Sequence, residues 1–388
     1  MAKQKALSVT ILNRNYPPGK GITGESASDL AHFLTDRSVD VHVIHVDAAY
    51  DGGHHLDTSI GHVDTIHTFY NGKKKLFRLL ANLYEGLALV LKARKHTPSV
   101  IICMTDPPLL NFWASLLLPK NKKWILWAMD LYPEAFISGK LVSEKNLFYR
   151  IIDRILKKNP PQHIISLGSY QSKLLQNKFN HTPACTILPC GIFDKNDPKN
   201  KNGVLPTWAQ QRHKIYLGYC GNIGEAHSTD FLLSVINHFN PEKFHLVLSL
   251  YGSNAKMVEE YAKDRAGISI VDSVKRGQLQ YIDIHLASLT KDWVSVSVPS
   301  KTVSSVCAGS AFLYQGEQES DNWELLQNAG WIIDSALGLD EKVNYFLNSV
   351  TKESLELKKI AATKLATELN QLKLQAFNEI FLKIQELQ

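Results

Sequence analysis

Short apolar runs recur along the chain, separated by stretches whose apolar residues fall at helical spacing. The runs at residues 7–12, 41–46, 100–104, 124–127 and 163–166 have strand length, and a helical segment over about 26–36 follows the first of them. Apolar strands alternating with helices predict a parallel sheet covered by those helices. One α/β domain is therefore expected over residues 1–194. Residues 195–214 contain Asn-Asp-Pro-Lys-Asn-Lys-Asn-Gly and then Pro206 without periodicity, and mark a linker. The alternation restarts at 215–219, 244–250, 268–271, 285–289 and 311–314, which predicts a second α/β domain over residues 215–350. Further on, Leu355, Leu357, Ile360, Leu365, Leu369, Leu372, Phe377, Ile380, Phe381 and Ile384 follow a near-helical spacing, so residues 351–388 are expected to form helices packing on the domains. The fold class is α/β: two Rossmann-like domains facing across a cleft, with a C-terminal helical segment.

A chain of 388 residues exceeds what one hydrophobic core usually serves, in keeping with two domains. Its 44% hydrophobic and 21% charged residues exclude the disordered class. The net charge of +6 suits a diphosphate ligand or an anionic membrane surface better than bulk nucleic acid, so no nucleic-acid partner is expected. The polar start Met1-Ala-Lys-Gln-Lys lacks the apolar centre of a signal peptide, and the longest apolar stretch, residues 109–118, is about half the length of a spanning helix. These features predict a cytoplasmic chain that does not cross a bilayer. Cys103, Cys185, Cys190, Cys220 and Cys307 lack close pairing and mostly sit in apolar runs, as buried reduced thiols do. No metal-ligand spacing is found among the histidines, and the pair His54-His55 lies in a Gly-rich loop that reads as exposed. Neither a metal nor a cofactor is expected.

Candidate chemistry collects where strands end. After the first strand, residues 15–26 place Gly19, Gly21 and Gly24, with Glu25, in a loop at the carboxyl edge, where ligands of open α/β sheets bind. An ordinary loop with Ser26 or Ser28 capping the next helix would use the same residues. Residues 218–227 repeat the arrangement: Gly221, Asn222, Gly224 and Glu225 lie between a strand and a helix whose positive end can hold a diphosphate. Residues 298–309 read as a helix start with Pro299 in its first turn, and there Lys301 with the hydroxyls of Ser300 and Thr302 can meet phosphate oxygens, unless the lysine is simply solvated. Asp130 and Glu134 follow another strand of the first half; Asp130 can bind acceptor hydroxyls, act as a base or cap a helix. Lys73, Lys74, Lys75 and Arg78 open a Leu- and aromatic-rich helix that can either rest on anionic headgroups or pack in the core.

Taken in order, Tyr16-Pro-Pro with its glycine loop, Met129-Asp-Leu-Tyr-Pro-Glu, Gly221-Asn-Ile-Gly-Glu-Ala, Asp283-Ile-His-Leu, Val298-Pro-Ser-Lys and Gly316-Glu-Gln-Glu-Ser resemble the retaining GT-B glycosyltransferases of family four. The likeness is to the branch that builds bacterial surface polysaccharides, including N-acetylfucosamine transferase-like members, and it covers nearly the whole chain. It implies a nucleotide-sugar donor held by the second domain, a glycan or lipid-linked acceptor held by the first, and transfer with retention and no obligatory metal. Asp130 and Lys301 would be the catalytic groups. The donor side would comprise Gly221, Asn222, Gly224, Glu225, Ser300, Lys301, Thr302, Ser304 and Glu317, with Gly19, Gly21, Gly24, Glu25 and Glu134 towards the acceptor. Two departures stand out. The positions matching the family's paired glutamates are Val296 and Ser304, and the usual arginine and lysine are missing from residues 221–227. A degenerate GT-B protein that binds a sugar nucleotide or a partner enzyme without turnover is therefore the alternative. A GT-B epimerase ranks below it for want of placeable acidic and histidine groups, and a periplasmic-type binding protein for want of an export signal.

Overall fold

The structure is a computed structural model that describes residues 7–18, 21–47, 59–72, 74–96, 98–179, 183–193, 205–211, 213–334 and 337–388. The chain divides into two compact units, Met1–Cys190 with Lys373–Gln388, and Gly191–Leu372.

The first unit runs β1 (Ser8–Leu12), α1 (Ile22–Thr35), β2 (Asp40–Asp47), β3 (His62–His67), α2 (Lys75–Lys95), β4 (Val100–Met104), α3 (Leu110–Leu117), β5 (Lys123–Trp127), α4 (Glu134–Ser138), α5 (Leu147–Lys158), β6 (His163–Ser166), α6 (Ser169–Lys178) and β7 (Ala184–Ile187). Its sheet has the order β3-β2-β1-β4-β5-β6-β7, and every pairing is parallel. Every residue of the central strand β4 is buried, as expected of a strand with helices on both faces. At the edge, β3 sets only Val63 and Ile66 among polar residues, with its inner side chains half-buried and its end histidines exposed, and for that reason its His-Val-Asp-Thr-Ile-His sequence carries no strong apolar signal. The short strand β7 was likewise not anticipated.

The second unit continues with β8 (Ile215–Asn222), α7 (Thr229–His238), β9 (Phe244–Tyr251), α8 (Ala255–Ala262), β10 (Ile268–Ile270), β11 (Ile284–Ser288), α9 (Ser300–Cys307), β12 (Ala311–Gly316), α10 (Asp321–Leu326), β13 (Gly330–Asp334), α11 (Leu339–Ser349) and α12 (Lys352–Leu387). This sheet is also parallel, in the order β10-β9-β8-β11-β12-β13. Leu217, Tyr219, Phe231, Leu246, Leu248 and Leu286 form the centre of its core, drawn from β8, α7, β9 and β11. Both sheets are thus doubly wound, with the first strand of each unit central and the later strands added outward from it.

The helices expected over residues 351–388 are one continuous helix, the 36-residue α12. Its early turns bury Leu355, Ala362, Leu365 and Leu369 in the second unit. Its last turns belong to the first unit, where Phe377 meets Phe33 with ring centres 5.2 Å apart.

Candidate functional site

A doubly wound sheet has a switch point where the strand order turns back, between β1 and β4 in the first unit and between β8 and β11 in the second, and ligands bind outside the carboxyl ends of the strands there. The two glycine segments singled out above leave β1 and β8.

In the second unit, Gly221 and Asn222, expected in a loop, are the last residues of β8, and α7 begins only after Ser228, whose hydroxyl accepts from the Phe231 amide at 3.1 Å. Gly221 has φ of +137°, and a side chain there would sit 3.7 to 3.8 Å from the Cε and Nζ of Lys301. That is ordinary van der Waals contact, so it is the backbone angle that favours glycine here, with Lys301 lying across the strand end. The ammonium donates to the Tyr219 hydroxyl at 2.8 Å and to the Asn222 carbonyl at 3.1 Å, and stands 4.0 Å from the centre of the Tyr219 ring. These partners are neutral. Desolvation pushes the Lys301 pKa down to about 7, with only the Cys220 thiol acting the other way. Asn222 itself is exposed, and its Oδ1 lies 2.0 Å from where a Cβ on Gly252 would be, so a side chain there would displace Asn222 as well as strain a backbone with φ of +106°. His227 packs behind the turn, its Nδ1 at 2.6 Å from the Ser288 carbonyl. Burial, and then the charge of Lys301, lower its pKa to about 3, so it is a neutral ring at physiological pH.

Lys301 is the second residue of α9, which starts after Pro299 with no side chain capping its first turn. Its leading amides therefore retain donor capacity, and the positive end of the helix dipole reinforces the lysine. Ser300 shares this turn and is half-buried. The other hydroxyls of the run turn inward. Thr302 donates to the Pro299 carbonyl at 2.9 Å and pairs with Asn322 Oδ1 at 3.1 Å. Ser304 donates to the Ser300 carbonyl and accepts from the Ile192 amide, both at 2.9 Å. Ser304 is thereby engaged within its own unit, and Val296 is buried in the turn that precedes the helix. Gly224 and the exposed Glu225 lie in the turn between β8 and α7, and Glu317 follows β12, its carbonyl accepting from the Ser320 hydroxyl at 2.8 Å. The structure therefore brings Gly221, Asn222 and Lys301 into direct contact, with Gly224 beside Asn222 and Ser300, Thr302 and Ser304 on the same helix as Lys301.

In the first unit, helix α1 starts at Ile22 rather than near residue 26, so Gly24 is helical and not in the loop where it was expected; Gly21, with φ of +128°, is the residue before the helix. The early start is possible because Gly24 lies directly on the β1 loop: a Cβ there would fall 2.9 Å from the backbone of Asn15. Ser26 bonds back to the Ile22 carbonyl and caps nothing. Asn15 donates to Asp106 Oδ2 at 2.7 Å, which joins the loops after β1 and β4 across the switch point. The Arg14 amide donates to the Asp106 carbonyl at 2.7 Å, while its guanidinium reaches Asn82 at 2.9 Å and the fully buried Glu85 at 3.4 Å. Glu85 also accepts from Thr68 at 2.5 Å. Burial raises the Asp106 pKa to about 6, Arg14 pulls it down, and Glu85 and Asp130 push it up.

Asp130 is exposed beyond the end of β5, and its field reaches Asp106. It caps no helix, since α4 begins at Glu134 behind Pro133. Glu134 is held in a salt bridge with Lys178. Glu25 is buried within α1. Gly19 and Lys73 lie outside the described residues, as does the His54-His55 pair. Asn15, Arg14, Glu85 and Asp106 were missed in the sequence, although Asn13-Arg-Asn and Thr105-Asp106, set immediately after apolar strands, were the available signal.

Lys74 and Arg78 are exposed at the start of α2, and so are Leu76, Phe77, Leu79 and Leu80, which rules out a core-packed first turn. Helix α3 packs between α2 and α5, and α5 adds exposed Leu147, Phe148 and Ile151 beside exposed Arg150 and Arg154. Among the described residues no helix is long and apolar enough to cross a membrane. His42, Asp64 and His96 bring three ligating atoms within 4.8 Å of one another, a grouping that nothing in their sequence spacing suggests. A hollow of about 760 Å³ beside β13, lined by Trp331, Tyr345 and Lys358, lies at the sheet edge, away from the switch point.

No family model matches the chain. WbjE of Pseudomonas aeruginosa, a probable glycosyltransferase, is 21% identical over 276 residues, which span 67% of this chain and 68% of that protein. Among solved structures, WaaG, a glycosyltransferase involved in lipopolysaccharide biosynthesis, superposes with a TM-score of 0.67 at 15% identity, covering 96% of this chain and 99% of WaaG. HepE of Anabaena, solved in complex with UDP and glucose, gives 0.66 at 11% identity over 98% of this chain and all of its own, the match covering 100%. Two doubly wound parallel-sheet units in succession, matched along nearly their whole length by these structures, give the chain the GT-B glycosyltransferase fold.

Proposed function

We propose that this chain is a glycosyltransferase that moves a sugar from a nucleotide-diphosphate donor to a glycan or lipid-linked acceptor, with retention of anomeric configuration and without a metal. The observation that carries this reading is Lys301, placed at the open first turn of α9 and laid across Gly221 at the switch point of the second unit. A diphosphate bound there meets helix amides, the helix dipole and an ammonium whose partners are neutral, so the charge of the departing nucleotide is stabilised where a divalent cation would otherwise be needed. Asn222 accepts from the lysine through its carbonyl and Ser300 precedes it in the same helical turn, and Gly224, Glu225 and Glu317 are the further donor-side residues that the motif resemblance implies. Complexes of HepE with UDP and glucose and with UDP-glucose support a nucleotide-sugar donor. Retention, and membership of family four in its surface-polysaccharide branch, rest on the motif resemblance.

On the acceptor side, exposed Asp130 is the group that would meet the acceptor hydroxyl, and its charge helps raise the pKa of Asp106 to about 6, so that Asp106 is the carboxyl suited to exchanging a proton near neutrality. The basic and apolar surface of α2 and α5 supports a lipid-linked acceptor at the inner face of the membrane, because Leu and Phe side chains flanked by Lys74, Arg78, Arg150 and Arg154 are what an interfacial helix presents to anionic headgroups. Cosedimentation with phosphatidylglycerol vesicles, compared between the wild type and a Lys74→Glu, Arg78→Glu, Arg150→Glu, Arg154→Glu variant, tests this part. Equal pelleting refutes it.

The donor reading is tested by thermal shift with UDP, GDP, dTDP, ADP, CMP and their common sugar conjugates, on the wild type and Lys301→Ala. A selective shift lost in the variant supports the donor site. Val296 and the internally bonded Ser304, which stand where the family has glutamates, favour a second reading in which the chain binds a sugar nucleotide without transferring the sugar. A nucleotide shift without hydrolysis or transfer, over a panel of acceptors, would support that reading.

A further inference from the structure

His42 on β2, Asp64 on β3 and His96 at the end of α2 converge at the edge of the first sheet, away from β1 and β4. Parallel pairing sets His42 opposite His62 and Ile44 opposite Asp64, so His42 and Asp64 share one face, and α2 returns His96 to that face. Asp64 Oδ2 lies 3.1 Å from His42 Nε2 and 3.3 Å from His96 Nε2. The two imidazole planes meet at 83° with ring centres 4.1 Å apart, edge to face rather than stacked. The other carboxylate oxygen, Oδ1, is held by Lys92 at 3.1 Å.

From these positions we propose that His42, Asp64 and His96 form a binding site for a divalent transition metal, with Zn²⁺ the ion that fits best. Two imidazole nitrogens and one carboxylate oxygen are a donor set that zinc accepts, with three protein ligands and a fourth position for water. Ligand atoms about 2.05 Å from a tetrahedral ion stand about 3.3 Å apart, and the two oxygen–nitrogen separations of 3.1 and 3.3 Å agree with such edges. Lys92 plays the part of the outer partner that orients a ligating carboxylate. Side-chain exposures of 17% for His42, 33% for Asp64 and 37% for His96 leave the group open to an ion from solvent. In the bound form each Nε2 presents its lone pair to the ion, so the ring's one remaining proton sits on Nδ1 and any proton Nε2 carried is released to solvent. The bound ion would clip the edge strand β3 to β2 and to the end of α2, and it is separate from the sugar-transfer reading.

The test is zinc titration of the dialysed full chain against a chromophoric chelator, with Co²⁺ as a spectroscopic substitute. One zinc per chain is expected, with the intense visible absorption of tetrahedral Co²⁺. His42→Asn and His96→Asn should each weaken binding at least about tenfold. His67→Asn, which alters an imidazole on β3, the strand of Asp64, but outside the cluster, should leave it unchanged. Zinc affinity that is equal in the wild type and both cluster variants, or no zinc bound by the wild type, would overturn the site and leave a carboxylate held by two imidazoles and a lysine. The wild-type cobalt spectrum needs no variant, so a substitution that impairs folding does not blunt the test.

Discussion

Raising the pH from 7 to 9 is expected to weaken UDP binding by about fiftyfold if Lys301 holds the diphosphate. The magnitude follows from its environment. With a pKa of about 7 in the free protein, Lys301 is half protonated at pH 7 and about one part in a hundred protonated at pH 9. If the ammonium form is the one that binds, affinity follows that fraction, a loss of about 2.3 kcal/mol. The terminal phosphate of UDP, by analogy with phosphomonoesters that ionise near pH 6, stays fully charged across this window, so the slope belongs to the protein. The sign is fixed by linkage: bound anion raises the lysine pKa, so binding takes up a proton and is disfavoured as protons become scarce. Isothermal titration calorimetry at pH 7, 8 and 9, in buffers of different ionisation heat, reads both affinity and proton uptake, which should approach one proton per UDP at the upper end. Lys301→Met should bind weakly and without slope. Lys301→Arg, charged throughout, should also lose the slope. A flat wild-type profile, or the same slope in Lys301→Met, would refute the assignment. If another nucleotide is selected by thermal shift, the same titration applies to it.

Asp106→Asn is expected to stabilise the protein by about 1–2 kcal/mol at pH 7, after allowing for partial solvent screening. The folded-state pKa of about 6 lies above the usual 3.8, so between those values the unfolded chain loses its proton first and wild-type stability falls as pH rises. Urea unfolding should therefore show the gain at pH 7 and none at pH 4; a gain of equal size at both would remove the ionisation argument. Gly252→Ala should cost about 1–3 kcal/mol, since φ is positive and the new methyl displaces Asn222; adding Asn222→Ala should recover the packing part in thermal melts and leave the backbone part. Ser304→Ala should cost about 1–3 kcal/mol by leaving the Ile192 amide unpaired, with UDP affinity of the folded protein unchanged. Lost affinity without lost stability would instead assign Ser304 to the donor.

Alternating apolar runs and helical spacing were enough to read two α/β units in succession, because strands buried on both faces carry that pattern in their own residues. The glycine segments after β1 and β8, and Lys301 at a helix start, were legible for the same reason: turn and capping chemistry is local. The strand order was not, since any parallel order is compatible with the same alternation, and it is the order that sets both glycine segments at switch points. Nor was the use of each hydroxyl. Thr302 and Ser304 lie one and three residues from Lys301 along the helix, yet both turn inward, a matter of helix orientation against the sheet. Helix α1 began four residues earlier than expected because Gly24 could rest on the Asn15 backbone, a contact between segments rather than a local preference. The pairings of Asn15 with Asp106, and of Asp64 with His42 and His96, join residues tens of positions apart through strand register and helix return. Local chemistry written in the chain determined which segments become strands, helices and ligand loops; long-range packing alone decided which polar side chains meet, and so which of them are buried, charged or free to bind.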